Sequence, residues 1–402
     1  MNAVGIDVSK GKSMVAILRP YGEIISTPFE IKHTSSDINA LVEQIKSVEG
    51  ESRIVMEHTG RYYEVLAHQL SQANLFVSAI NPKLIKDFDN DSLRKVKSDK
   101  ADAVKIARYA LDKWQNLKQY SVMDELRNQL KTMNRQFGFY MKHKTAMKNN
   151  LIGILDQTYP GVNTYFDSPA RSDGSQKWVD FTSTYWHVDC VRKMSSNAFI
   201  DHYQKWCKRN KYNFSQAKAE EIYGTAKELV PVLPKDEVTK LIIKQAVDQL
   251  NSASQTVENL RTLMNETASK LPEYPVVMQM KGVGPSLGPQ LISEIGDVTR
   301  FHSKGALTAF AGVDPGVNES GTYAQKSVPT SKRGSADLRK SLFQVMDALI
   351  KTMPQDDPVY LFLDKKRAQG KPYYVYMTAG ANKFLRIYYG RVNEYLATFN
   401  KN

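Results

Sequence analysis

The order of strand-like and helix-like runs in the first 80 residues constrains the fold of this chain more than any other feature. Three strand-like runs come first, and helix, strand, helix and strand then alternate. The predicted strands are residues 3–8, 13–19, 23–31, 54–56 and 75–80, and the predicted helices are 36–48 and 61–73. A doubly wound nucleotide-binding sheet is excluded, because it would alternate from its first strand and carry a glycine-rich first turn.

This order is typical of an α/β domain of the RNase H-like fold, which we expect over residues 1–122. Helical spacing dominates from about residue 100 onwards. Two long amphipathic runs, 124–155 and 243–271, predict helices of a coiled coil or a helix bundle. These two helices could pack against each other within one domain or across the interface of a dimer, and the sequence does not decide between the two arrangements. We expect a central helical and coiled-coil region over 123–272, with an inserted helical segment, and a mainly helical C-terminal domain over 273–402.

The charge balance points to a polyanionic partner. The 402 residues include 55 Lys and Arg against 42 Asp and Glu, a net charge of +13. When Lys and Arg side chains neutralise the phosphates of a nucleic acid, the counterions bound to those phosphates are released, and this release favours binding. The excess of basic residues therefore points to a nucleic-acid partner. No apolar run reaches the roughly 18 residues of a membrane span. No signal peptide is visible and the two cysteines cannot build a disulfide framework, so we expect a cytoplasmic protein without a membrane partner.

Four acidic residues form a candidate metal site. Asp7 lies inside an apolar strand, where a carboxylate is costly to bury unless it is paired or binds a metal. Glu57 ends the fourth predicted strand, and Asp99 and Asp102 lie three residues apart on one helix face. Strand ends and a helical pair can converge on one or two Mg²⁺ ions, which take oxygen ligands.

Two series of motifs carry a resemblance to a known family. The N-terminal series is Gly5-Ile6-Asp7-Val8, Glu57-His58-Thr59-Gly60, Asn81-Pro82 and Lys97-Ser98-Asp99-Lys100-Ala101-Asp102. The C-terminal series includes Lys281-Gly282-Val283-Gly284-Pro285, Glu294-Ile295-Gly296-Asp297, Ala311-Gly312-Val313-Asp314-Pro315, Ser320-Gly321 and Ser331-Lys332-Arg333-Gly334. In this order the motifs resemble the DEDD transposases of the insertion sequence 110 family, which are bridge-RNA-guided recombinases.

The resemblance implies a mechanism that composition does not give. The N-terminal domain would be RuvC-like and would bind Mg²⁺ through Asp7, Glu57, Asp99 and Asp102. Ser320, in the C-terminal domain, would attack DNA and form a covalent phosphoserine link. The partners would be donor and target DNA, a bridge RNA and further copies of the chain, as a dimer and as a tetramer in the synaptic complex. The expected place of action is the nucleoid of a bacterial or archaeal cell.

Several basic residues and one glycine are candidate nucleic-acid contacts. Gly284 lies in a turn before a predicted helix, whose backbone amides can bind phosphate. The candidates are Arg94, Lys97, Lys281, Gly284, Lys332, Arg333 and Arg339.

Three other functions stay open at this point. A related DEDD invertase would flip a DNA segment by the same chemistry. In a metal-only RuvC-like nuclease, water would attack and Ser320 would have no role. A basic scaffold on an inactive RNase H-like fold is the third, and the four carboxylates argue against it.

Overall fold

The computed structural model describes residues 1–57, 62–80, 82–88, 98–120, 125–314, 319–320, 323–324, 330, 332 and 334–399. The chain divides into two compact units, Met1–Val122 and Met123–Asn402, called here the N-terminal unit and the helical unit. The further division of the helical part into a central region (123–272) and a C-terminal domain (273–402) stays a prediction. None of the helices within these described ranges has the length and apolarity to span a membrane.

The N-terminal unit is built on one mixed five-stranded sheet. Its strands are β1 (Asn2–Val8), β2 (Lys12–Leu18), β3 (Ile24–Lys32), β4 (Ser52–Glu57) and β5 (Phe76–Ile80). Their order across the sheet is β3-β2-β1-β4-β5, with β1, β2 and β3 antiparallel and β1, β4 and β5 parallel. This arrangement confirms the α/β fold predicted from the order of the runs.

In the described residues of this unit, four helices accompany the sheet: α1 (Ser35–Ser47), α2 (Tyr62–Gln72), α3 (Pro82–Asp87) and α4 (Asp99–Asp112). Side chains alternate across β1, so Val4, Ile6 and Val8 enter a core with α1 and α2, whereas Ala3 enters a second core with α4. Gly5 and Asp7 share the face of Ala3. The strand periodicity therefore directs Asp7 to the side of the sheet that α4 covers.

The helical unit follows with twelve helices and a short hairpin among its described residues. They are α5 (Glu125–Thr158), α6 (Lys177–Thr184), α7 (Asp189–Arg192), α8 (Ser196–Arg209), α9 (Gln216–Glu228), α10 (Glu237–Ala268), α11 (Tyr274–Met278), α12 (Leu287–Ile295), α13 (Lys304–Ala311), β6 (Glu319–Ser320), β7 (Tyr323–Ala324), α14 (Ala336–Thr352), α15 (Pro358–Ala368) and α16 (Tyr373–Phe399). The predicted long runs correspond to α5 and α10.

The helices α5 and α10 pack against each other within the chain and join two separate cores. Near the end of α5, Leu151 and Leu155 pack with Trp206 and the start of α10. Near its beginning, Leu130 and Phe137 pack with the end of α10 and with α12 to α16. The apolar faces of these two helices therefore pack against each other within the chain.

Candidate functional site

The register of the sheet sets two carboxylates side by side. Strands β1 and β4 are parallel, with Ile6 opposite Met56. Asp7 and Glu57 are the next residues of their strands, and both are half-buried. Because Ile6 and Met56 point into the core with α1 and α2, Asp7 and Glu57 point to the opposite face.

Gly5 lets the helix α4 lie directly against β1. A Cβ atom built on Gly5 would come within 2.2 Å of the Ala103 carbonyl oxygen and 2.4 Å of the Ala107 nitrogen. Only a residue without a side chain permits this approach. The contact brings the first turn of α4, which carries Asp99 and Asp102, to the strand that carries Asp7.

The start of α4 suits negative charge. Ser98 is its N-cap, and the Ser98 hydroxyl accepts a hydrogen bond of 3.3 Å from the Ala101 nitrogen. Asp99 and Asp102 lie in the first turn, where the helix dipole stabilises carboxylates. Asp102 is half-buried and Asp99 is exposed.

A cleft of about 370 Å³ collects three of the four predicted carboxylates. It is lined by Asp7, Glu57, Pro82, Ile85, Lys86, Asp102 and Lys105. Asp99 is not among the lining residues, yet its charge acts on Asp7. The structure thus brings Asp7, Glu57 and Asp102 together and leaves Asp99 at the rim.

Burial and mutual repulsion raise the pKa values of the two strand carboxyls. The pKa of Asp7 rises to about 6, first because the group is buried and then because of the charges of Asp102 and Asp99. Burial likewise raises the pKa of Glu57, helped by Asp7 and Asp102 and opposed by Lys105. Hydrogen bonds are not among the causes of either shift. The cleft therefore holds a concentration of negative charge that a cation would relieve.

The donors fit a hard divalent cation by chemistry, since carboxylate oxygens are the ligands that Mg²⁺ prefers. Among the described residues, however, no group of three or more His, Cys, Asp or Glu side chains is arranged so that it could hold one ion. The carboxylates share one cleft, and their oxygens would have to draw together to ligate an ion in common.

Two lysines of the cleft were missed by the sequence reasoning. Lys105 donates a hydrogen bond of 3.3 Å from its ammonium to the carbonyl oxygen of Lys86. Lys105 follows Asp102 by three residues, so both lie on one face of α4. That spacing is a signal that could have identified Lys105 from the sequence. An ammonium at the edge of an acidic cleft can contact a phosphate that approaches the carboxylates.

The predicted nucleic-acid contacts have diverse surroundings. Lys281 is exposed and pairs with Asp356 at 3.4 Å between Nζ and Oδ2. Gly284 precedes α12, and its carbonyl accepts a hydrogen bond of 2.9 Å from the Gly288 nitrogen. Lys332 is exposed. Arg94, Lys97 and Arg333 lie outside the described residues.

Arg339 holds together the two ends of the segment that carries Ser320. Its guanidinium donates hydrogen bonds of 3.0 Å to the carbonyl oxygens of Ala311 and Gly334. The Ser335 nitrogen also donates to the Phe310 oxygen at 2.9 Å. The two ends of segment 312–334 therefore lie next to each other. Arg339, predicted as a nucleic-acid contact, positions backbone here.

Glu294 is a second positioning residue, and no role for it was predicted. It is 4% exposed and lies on α12. Its carboxylate accepts hydrogen bonds from Asn134 (2.8 Å), Arg135 (2.6 Å) and the Ser335 hydroxyl (2.9 Å). Ser335 is the N-cap of α14, so one buried carboxylate links α5, α12 and the place where segment 312–334 ends.

Ser320 is described only in its backbone. It belongs to β6, which pairs antiparallel with β7, and Ser320 stands opposite Tyr323. Its side chain and Gly321 lie outside the described residues, as do His58, Thr59, Gly60 and Asn81 of the N-terminal motifs.

The sheet order and the acidic cleft define an RNase H-like α/β domain followed by a helical unit, an architecture suited to phosphate chemistry. Comparison with known proteins narrows this class. A DEDD transposase model of the IS110 type matches residues 4–160, and a model of the transposase IS116/IS110/IS902 family matches residues 274–360. The chain belongs to the IS110 family of transposases.

Several curated proteins are similar to this chain. An uncharacterized 43.6 kDa protein of insertion element IS110 from Streptomyces coelicolor is 22% identical over 275 residues, which are 68% of this chain and 65% of that protein. The match thus spans slightly less than two thirds of that relative. The pilin gene-inverting protein of Moraxella bovis is 23% identical over 341 residues, 85% of this chain and 80% of that protein.

Proposed function

We propose that this chain is an RNA-guided DNA recombinase that moves its own insertion element through a covalent phosphoserine intermediate. The observation that carries the proposal is the cleft in which Asp7, Glu57 and Asp102 face one another. Within the described part of the chain, no hydrogen bond compensates the charge of Asp7 or Glu57. Membership of the IS110 family supports a transposase, and the net charge of +13 supports a polyanionic partner.

In this proposal Asp7, Glu57, Asp99 and Asp102 hold Mg²⁺. When bound, the ion would stabilise charge on a phosphate and lower the pKa of an oxygen nucleophile beside it. Lys86 and Lys105 contact the phosphate at the edge of the cleft. Raised pKa values in a cleft are typical of functional carboxyls, because a site that gathers like charges away from water disfavours their charged form.

Ser320 is the proposed nucleophile. Its hydroxyl loses its proton as the oxygen forms a bond to phosphorus, the bond from phosphorus to a sugar oxygen breaks, and the leaving sugar oxygen takes up a proton to become a hydroxyl. Attack by a hydroxyl of another strand reverses the step and rejoins DNA, so no external energy source is needed. Arg339 and Glu294 support this chemistry by fixing both ends of segment 312–334.

Further partners belong to the proposal. A bridge RNA would select donor and target DNA by base pairing. The two units of one active site would come from different copies of the chain, which requires a dimer, and a synaptic complex would hold four copies. A site-specific invertase is the second candidate, favoured by similarity to the pilin gene-inverting proteins over 80% of their length.

The test of RNA guidance uses the whole element with its native flanking DNA in a bacterial host. We expect excision and insertion junctions, read by sequencing, when the noncoding flanks are present. Removing the flanks should abolish the junctions, and supplying them as a transcript from a separate plasmid should restore them. A promoterless copy of the same plasmid is the control.

Restoration by the promoterless copy would contradict RNA guidance, since the flank would then act as DNA. The orientation of the junctions separates the two candidates. Insertions at new positions indicate transposition, whereas reversal of one bounded segment indicates an invertase.

A further inference from the structure

The first turn of α16 exposes two adjacent aromatic rings. Tyr374 is 73% exposed and Tyr373 is 45% exposed. Their ring centroids lie 5.2 Å apart in an edge-to-face arrangement. Neither tyrosine belongs to the hydrophobic core of the helical unit, which α16 joins from Tyr376 and Met377 onwards. Their exposure leaves ring surface available to a partner.

Helix α14 contacts both tyrosines and restrains their rings. The Tyr373 hydroxyl donates a hydrogen bond of 3.1 Å to Asp347, and the Tyr374 ring lies 6.4 Å from the Phe343 ring between centroids. Tyr376, one turn further along, contacts the Tyr373 ring edge-to-face at 5.5 Å. Rings held in this way lose little conformational entropy when another ring stacks on them.

Positive charge is concentrated in the turn directly before the two tyrosines. The last turn of α15 carries Lys365, Lys366 and Arg367, and the turn continues through Lys371. A hydrogen bond of 3.3 Å from the Lys371 nitrogen to the Lys366 carbonyl closes the turn.

A further cation reaches the same surface from α16. The ammonium groups of Lys366 and Lys383 both lie over the Phe362 ring, at 5.7 Å and 4.8 Å from its centroid. The acidic neighbours are Asp364 in α15 and Asp347, which Tyr373 already engages. Cations therefore predominate around the exposed rings.

The same helix also contacts the segment that carries Ser320. The Asn382 side chain donates a hydrogen bond of 3.4 Å to the Val313 carbonyl, at the start of that segment. Tyr374 precedes Asn382 by eight residues, or about 12 Å along the helix. The two tyrosines therefore lie about two turns of α16 from the residue that contacts the start of segment 312–334.

We propose that Tyr373 and Tyr374, with the cations of residues 365–371, form a stacking site for unpaired nucleotides. Exposed aromatic rings beside a basic surface are the usual means of binding single strands without sequence preference, since every base offers a ring face. The inference rests on the proposed function for its biological ligand, either a loop of the guide RNA or a displaced DNA strand. The binding itself needs neither metal nor cleavage.

The test is fluorescence anisotropy with the full chain, without Mg²⁺, and labelled unstructured 12-nucleotide DNA and RNA strands. We expect Tyr374→Ala to weaken binding about tenfold. Tyr374→Phe, which keeps the ring, should bind like the wild type, and Tyr374→Leu should lose affinity like alanine. Lys371→Ala should lower the slope of log affinity against log salt by about 1.

Tyr21→Ala is the matched control, because Tyr21 is a fully exposed tyrosine of the N-terminal unit. It should leave affinity unchanged. The stacking site is refuted if wild type fails to bind either strand, or if Tyr374→Ala binds as tightly as wild type. Equal losses of affinity in Tyr374→Phe and Tyr374→Ala would also refute the stacking site. Preference for RNA or DNA identifies the source of the nucleotides. Because the assay needs neither Mg²⁺ nor strand cleavage, its outcome is independent of the recombination mechanism.

Discussion

Asp7→Asn is expected to reduce recombination by roughly 10³-fold or more while making the metal-free protein more resistant to heat. The loss arises because the cleft forfeits a central carboxylate ligand and the charge stabilisation that a bound cation provides. The gain arises because asparagine removes a charge that burial, Asp102 and Asp99 all disfavour. Opposite changes in activity and stability are typical of a residue selected for function.

The stability gain should depend on pH in a definite direction. The pKa of Asp7 is about 6 in the folded chain against 3.8 for a free carboxyl, so the folded state retains the proton more strongly. Asp7 therefore lowers stability progressively as pH rises from about 4 to about 6. At pH 7.5, we expect Asp7→Asn to melt about 2–4 °C higher than wild type, a shift that corresponds to about 1 kcal/mol. Near pH 4 the wild type and Asp7→Asn should have the same melting temperature.

Mg²⁺ should reverse the difference in melting temperature between wild type and Asp7→Asn. A ligand that binds only the folded state raises its stability, so Mg²⁺ should raise the melting temperature of wild type and leave Asp7→Asn unchanged. Calorimetry over a Mg²⁺ series measures both. The matched control is Asp112→Asn at the other end of α4, where the carboxylate pairs with Lys113 at the surface. It should keep recombination and change stability little. Full recombination by Asp7→Asn would contradict the role of Asp7 as a metal ligand.

Gly5→Ala should destabilise the N-terminal unit by about 2–3 kcal/mol, at the upper end of overpacking effects. Its new Cβ would meet the Ala103 carbonyl oxygen at 2.2 Å, and a backbone atom cannot rotate out of the way. The helix α4 would have to move off β1, carrying Asp99 and Asp102 away from Asp7. We therefore expect weaker Mg²⁺ binding and lost recombination together with the lower stability, measured by urea unfolding.

Gly153→Ala is the control for a glycine-to-alanine change. Gly153 lies within α5, and an added Cβ would have open space. Alanine there should raise stability by about 0.5–1 kcal/mol. If Gly5→Ala unfolds at the wild-type urea concentration, the close contact between α4 and β1 is not what assembles the cleft.

Much of the N-terminal unit could be predicted because its signals are local. Strand alternation, helix spacing and the order of the runs depend on neighbouring residues, and they gave the strands and the face of α1 that carries Ile38 and Leu41. The helix α1 begins at Ser35, one residue before the predicted start. Thr34 caps it, because its backbone is extended and its hydroxyl accepts a hydrogen bond from the Asp37 nitrogen.

Contacts between distant residues were not predictable in the same way. The need for glycine at position 5 depends on a helix about 100 residues later, and the partners of Glu294 come from α5 and from the cap of α14. The amphipathic spacing of α5 shows that it packs against something, but periodicity alone cannot identify α10 of the same chain as its partner. The sequence motifs indicated the family. The positioning roles of Glu294 and Arg339 follow only from their hydrogen bonds in the folded chain.

The most direct measurement is a search for DNA covalently attached to the denatured protein, expressed with its whole element and flanking DNA. We expect an adduct with wild type that requires Mg²⁺ and is absent in Ser320→Ala and in Asp7→Asn, with Asp112→Asn as the positive control. Peptide mapping should locate the attached nucleotide on Ser320. Cleaved DNA without an adduct, or an adduct that persists in Ser320→Ala, would contradict serine recombination, and the former would identify a metal-dependent nuclease in which water attacks.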